Sequence, residues 1–103
     1  MIVLVVTIET SAERIATLKD AIVEMQTASR AEDGCRDYTF CVEIDDANKL
    51  RVNECWEDEA ALTRHFATPH MAAFNKAIAT AAPSNVSIAC YEAREIPFPV
   101  NRG

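Results

Sequence analysis

Two runs of period-two alternation lie back to back in the middle of the chain, and they constrain everything on either side. From Cys35 to Asp45, Tyr38, Phe40, Val42 and Ile44 fall on one face, and Asp37, Thr39, Cys41 and Glu43 on the other. From Leu50 to Glu57, Leu50, Val52, Glu54 and Trp56 share a face. The polar cluster Asp45-Asp46-Ala47-Asn48 between them reads as a turn, so the two runs form an antiparallel hairpin. An isolated hairpin is marginal in water, so further strands and helices must cover it.

The flanks supply them in mirrored order. Ile2 to Glu9 is rich in Val and Ile and apolar on both faces, which predicts a central strand. Ser11 offers an N-cap, and Ile15, Leu18, Ile22 and Met25 recur at spacings of three and four. They predict one amphipathic helix of about five turns from Ala12 to about Arg30, ended by Glu32-Asp33-Gly34. After the hairpin, Asp58 caps a helix carrying Ala61, Leu62, His65 and Phe66. Thr68-Pro69 interrupts it, and the pattern resumes through Met71, Phe74 and Ile78. Val86, Ile88, Cys90 and Glu92 then alternate with Ser87, Ala89, Tyr91 and Ala93 as a last strand. Residues 1–96 read as one domain and 97–103 as an extended tail, whose Pro97 and Pro99 keep it out of a ladder interior.

The expected fold is therefore α+β and ferredoxin-like, β-α-β-β-α-β. It has a four-stranded antiparallel sheet with helices on one face. The opposite sheet face is left bare, and a face-to-face homodimer would cover it.

Composition narrows the function classes. Sixteen acids against ten bases give a net charge of −6 spread along the 103 residues, with no Lys/Arg cluster to neutralise successive phosphates; a nucleic-acid partner is not expected. The apolar opening Met1 to Ile8 lacks a basic leader and a small-residue cleavage site. No stretch approaches the roughly 20 apolar residues of a membrane span. A cytoplasmic protein with no membrane partner is the expectation. Cys35, Cys41, Cys55 and Cys90 form no C-x-x-C pair and are expected as reduced, buried small side chains. His65 and His70 are five apart across a helix break, which is not the i,i+4 spacing of a zinc-binding helix, and no metal site is expected.

Two segments carry a resemblance. Gly34-Cys35-Arg36-Asp37-Tyr38 is followed by the pattern Glu54-x-Trp56, an acidic helix start, Leu62, His65, Pro69-His70 and Phe74. In register with the expected fold, this string resembles the antibiotic biosynthesis monooxygenase family over about residues 1 to 95. The resemblance implies a dimeric α+β barrel in which each protomer holds a pocket between its own sheet and helices. The members of the resembled family include quinol and anthrone monooxygenases that use molecular oxygen without a cofactor, haem-degrading enzymes, and an isomerase of a phosphorylated signal. Fold does not fix function, so the choice falls to the site.

A cofactor-independent monooxygenase acting on a quinol or polycyclic phenol needs a dry apolar pocket and a polar group that takes the phenol proton. His65 is the first candidate for that group, because histidine as a residue type is the side chain suited to proton transfer near neutrality and this one lies on the helix face that meets the sheet; its plainer reading is packing or capping. Glu54 is the second, an acid on the core face whose burial demands a partner or a raised pKa. Trp56 offers a flat wall for an aromatic substrate, or is simply a core residue. Tyr38, Phe40, Phe66 and Phe74 are lining candidates, and His70 caps the resumed helix or touches substrate.

This chain departs from the characterised members at three places. Val52 stands where the anthrone-type enzymes carry an asparagine four residues before the tryptophan, and Asn53 points to the other face. Neither Thr7 nor Asn75 supplies the residues of the haem-degrading members, so haem degradation is not expected. Thr68-Pro69-His70 is similar to the isomerase relatives, yet only Arg64 and Lys76 are at hand for a phosphate. The alternatives are thus an isomerase or processing enzyme, with His65 and Glu54 shuttling a proton, and a non-catalytic dimeric ligand-binding module.

Overall fold

A computed structural model describes residues 1–99. Strand β1 (Ile2–Glu9) leads into helices α1 (Ala12–Thr17) and α2 (Lys19–Arg30), then β2 (Cys35–Glu43), β3 (Asp46–Trp56), helices α3 (Glu59–Phe66) and α4 (Pro69–Thr80), and β4 (Asn85–Glu92). All strand pairs are antiparallel and the sheet order is β2-β3-β1-β4, so β1 is central as its two-sided apolar sequence requires. This is the ferredoxin-like α+β fold.

Cross-strand register decides which side chains meet. Leu4 lies opposite both Glu54 and Cys90, and Val6 opposite Val52 and Ile88. Partners directly across a ladder share a face. The helix-facing side therefore collects Ile2, Leu4, Val6 and Ile8 from β1 with Leu50, Val52, Glu54 and Trp56 from β3, all buried. Met25 and Phe74 close this core from the helix layer.

Three local expectations are corrected. The single five-turn helix is two helices, because at Leu18 the amide bonds to Ile15 rather than to the residue four back, while the Thr17 hydroxyl takes the Arg14 carbonyl at 2.7 Å. The apolar stripe survives the break, with Ile15, Leu18 and Met25 all buried. Ile44 leaves its strand face: the turn is only Ile44-Asp45, β3 begins at Asp46, and Ile44 is fully exposed. The four cysteines are free, but none is buried as expected: Cys35 and Cys55 are half-buried, and Cys41 and Cys90 are exposed. Cys41 shares the open sheet face through its pairing with Arg51, and Cys90 lies on the edge strand.

Gly34 is fixed twice over. Its φ of +83° is a conformation that side chains resist, and a Cβ there would sit 2.6 Å from the Cβ of Ala61. The close approach brings the start of β2 against α3, while the Gly34 carbonyl accepts from the Glu57 amide at 2.8 Å.

The helices do not reach β4. Val86 and Ile88 point to the helix side, opposite Ile8 and Val6, yet remain 50% and 64% exposed. On the other sheet face Val3, Val5, Ala89 and Tyr91 meet no helix, and Arg51 pairs there with Glu43 and donates to Thr7. Residues 93–99 follow β4 without regular structure; the part of the expected tail from Val100 onward lies outside the described residues. Among the described residues no helix is long and apolar enough to cross a membrane.

Candidate active site

Because the helix layer stops short of β4, a cavity of about 190 Å³ opens between the sheet and α4. Its floor is Leu4, Val6 and Ile8 of β1 with Val52 of β3; its roof is Met71, Phe74 and Ile78 of α4; Val86 and Ile88 form the exposed mouth. Polar groups are few: Tyr38, Glu54 and Asn75. That combination, an apolar recess with a small number of placed polar groups, is the usual character of a small-molecule site.

Glu54 is the unusual member. A carboxylate at 6% exposure on the core face of a strand is costly unless something holds it. Its Oε1 accepts a hydrogen bond of 3.0 Å from the Trp56 indole, and among the described residues no donor meets Oε2. Burial raises its pKa above the ordinary carboxylate range; the Trp56 bond and nearby His65 pull it partly back, and Glu32 pushes it further up. Tyr38 stands beside it, and desolvation together with the Glu54 charge drives the phenol well above its ordinary value. At neutral pH Tyr38 is therefore a hydrogen-bond donor and not a base.

Behind this wall lies a stack. Trp56, with no exposed surface, has its ring 4.6 Å from that of His65, and Tyr38 packs on both, at 6.3 Å and 5.4 Å between centroids. His65 is 1% exposed and is not on the cavity lining; its Nδ1 is 2.6 Å from Glu32 Oε2. The same oxygen meets His70 Nε2 at 2.8 Å. Asp58 caps α3 through the Ala61 amide and Thr68 caps α4 through Met71, so the Pro69 break turns the chain between the two histidines and folds both rings onto one carboxylate.

The expected site residues thus divide into groups. Glu54, Tyr38, Phe66 and Phe74 line one cavity. His65 and Trp56 sit beneath it, and Phe40 braces Tyr38 and Phe74 at 5.6 Å and 5.3 Å while facing a different groove beside α1 and α2. His70 lies with Glu32, away from the cavity. Sequence reasoning missed Glu32, taken only as part of a helix stop, and missed that the mouth belongs to Val86 and Ile88. An acid just before a glycine reversal carries no periodic signal. What could have flagged it is the need of two histidines around a proline for a shared acceptor.

The family model for antibiotic biosynthesis monooxygenases matches residues 1–77, three quarters of the chain. The chain belongs to that family. Among solved structures, a candidate antibiotic biosynthesis monooxygenase from Deinococcus radiodurans is 28% identical, covers 95% of this chain and 97% of its own, and superposes with a TM-score of 0.86. A Pseudomonas aeruginosa protein is also 28% identical, with 91% and 94% covered and a TM-score of 0.80. A candidate antibiotic biosynthesis monooxygenase from Nitrosomonas europaea shares the fold at 17% identity and a TM-score of 0.84 over 90% of this chain and 98% of its own. No curated protein matches. For this antibiotic biosynthesis monooxygenase family member, the match covers Glu54, Trp56, His65, Phe66 and Phe74 and stops before β4, which forms the cavity mouth.

Proposed function

We propose that the protein is a cofactor-independent monooxygenase that oxidises a small quinol or phenol with molecular oxygen in the cavity beneath α4. The observation that carries this reading is Glu54: a buried carboxylate with a raised pKa, one oxygen held by Trp56, on the wall of an otherwise apolar recess. A base in that setting is poised closer to neutrality than an exposed glutamate, which favours general-base removal of a phenol proton. Tyr38, kept protonated beside it, completes the same wall of the cavity.

The phenolate reduces oxygen directly. One oxygen atom becomes a new ring carbonyl at a carbon that carried hydrogen. The other leaves as water with that hydrogen and the phenol proton, so the phenol plus O₂ gives a quinone plus water. His65 serves this reading as a positioning residue, since its ring supports Trp56 from behind. The volume favours one or two fused rings over larger polycycles, since a cavity of roughly 150 Å³ accommodates benzene.

Oxygen uptake by the purified protein against simple quinols and naphthols tests this. Wild type is expected to consume one O₂ per quinone formed. Val86→Trp, which fills the exposed mouth, is expected to raise KM by roughly tenfold or more with an unchanged melting temperature. Binding of these phenols without oxygen uptake would move the reading to the isomerase, and no binding at all to a different ligand class.

The bare sheet face supports a homodimer. Val3, Val5, Ala89 and Tyr91 form its apolar centre, with Arg51 and Glu43 towards β2. Light scattering of wild type is expected to give twice the chain mass, and Val5→Lys, which places a charge at that centre, the mass of one chain. A wild type that stays monomeric at all concentrations would remove the face-to-face arrangement.

A further inference from the structure

We propose that Glu32, His65 and His70 form a binding site for one divalent first-row transition ion, with the donor set of two imidazole nitrogens and one carboxylate oxygen. The three residues come from separate segments: the turn after α2, the last turn of α3 and the first turn of α4. Their donor atoms, Oε2, Nδ1 and Nε2, nevertheless all lie within 4.8 Å of one another. The set is the one preferred by zinc and by ferrous, cobaltous or nickel ions, and unlike an all-oxygen site it does not suit calcium or magnesium.

The geometry is close to that of a ligand face. Two ligand atoms at about 2.0–2.1 Å from one ion are roughly 2.9 Å apart at the right angles of an octahedral ion and roughly 3.3 Å apart on a tetrahedral zinc. The two carboxylate–imidazole separations are 2.6 Å and 2.8 Å, so each needs to lengthen by a few tenths of an ångström for an octahedral ion and by about 0.5–0.7 Å for a tetrahedral one. The two nitrogens must be spaced to suit the same ion, and His70 can adjust: its side chain is 20% exposed, against 1% for His65 and 13% for Glu32. Ligation asks each ring to carry its proton on the nitrogen away from the carboxylate.

The surroundings fit a charge of two. Glu32 supplies one negative charge, and His70 also borders a recess of about 180 Å³, lined in part by Glu24, with room for water ligands. None of the three ligands lines the cavity under α4. The ion would instead lock the junction of α3 and α4 to the end of α2. Through His65 it would hold the Trp56 indole that donates to Glu54.

Calorimetric titration of chelator-treated protein with Zn²⁺, paired with the visible spectrum after Co²⁺ addition, tests the site. One ion per chain is expected, with a rise in melting temperature and ligand-field bands lacking the near-ultraviolet charge-transfer absorption of a thiolate. Glu32→Gln retains the shape and a hydrogen-bond acceptor, and His70→Ala alters a partly exposed ring, so both are expected to fold. Each should weaken Zn²⁺ binding by at least about tenfold. The proposal is overturned if wild type binds neither ion, if both variants bind as tightly as wild type, or if thiolate absorption places the ion on the cysteines.

Discussion

Glu54→Gln is expected to abolish most oxygen uptake while making the protein more stable at alkaline pH. As the base of the proposed reaction, Glu54 should contribute about 10²–10⁴-fold to turnover. Glutamine keeps the acceptor for the Trp56 indole and the side-chain volume, so the fold has no reason to change. The wild-type rate should rise with pH through the raised Glu54 pKa, because the carboxylate is the active form, and the variant should lack that limb.

The stability effect has the opposite sign. A carboxyl whose pKa is raised on folding binds its proton more tightly in the native state than in the unfolded chain, so stability falls as pH climbs from the ordinary glutamate value through the folded one. Glutamine has no such loss. The advantage of the variant in denaturant melts should therefore grow across that window and vanish below it. Full activity in Glu54→Gln would end its assignment as the base; an alkaline stability no better than wild type would show that burial does not strain the carboxylate.

Trp56→Ala is expected to cost about 3–5 kcal/mol, the range for deleting a buried aromatic. Trp56 has no exposed surface and stacks with Tyr38 and His65, and its removal also strips Glu54 of its hydrogen-bond donor. A domain of this size has roughly 5–15 kcal/mol in total, so the variant should sit near the edge of unfolding at 37 °C. Trp56→Phe separates the two roles. It keeps most of the packing but removes the indole N–H, one of the influences that lower the Glu54 pKa, so its pH–rate profile should move to higher pH. Equilibrium denaturation and the two profiles check this. A Trp56→Ala variant as stable as wild type would mean that the stack holds nothing together, and an unmoved profile in Trp56→Phe that the indole does not set the proton affinity of Glu54.

The order of elements was legible because each carries its own periodicity. Alternation in β2 and β3 and the three-and-four spacing of Ile15, Leu18, Ile22 and Met25 are local signals, and local signals survive without tertiary information. The burial of Glu54, Trp56 and His65 was legible for the same reason: each follows from its place in a strand or helix pattern. The break at Leu18 was not, since a hydroxyl bonding back to a carbonyl leaves the apolar stripe intact.

What the chain alone determined, then, is the β-α-β-β-α-β sequence of elements, the faces they bury and the presence of an acid among the buried positions. Only the tertiary structure decided which of those residues meet. It separated His65 from the cavity, placed Glu54 and Tyr38 on its wall, left β4 uncovered to form a mouth, and brought Glu32 onto two histidines more than thirty residues away. The physical reason is range. Periodicity reports how a segment faces the core, whereas a site is built by side chains whose nearness depends on strand order, helix length and the turn at Pro69 acting together.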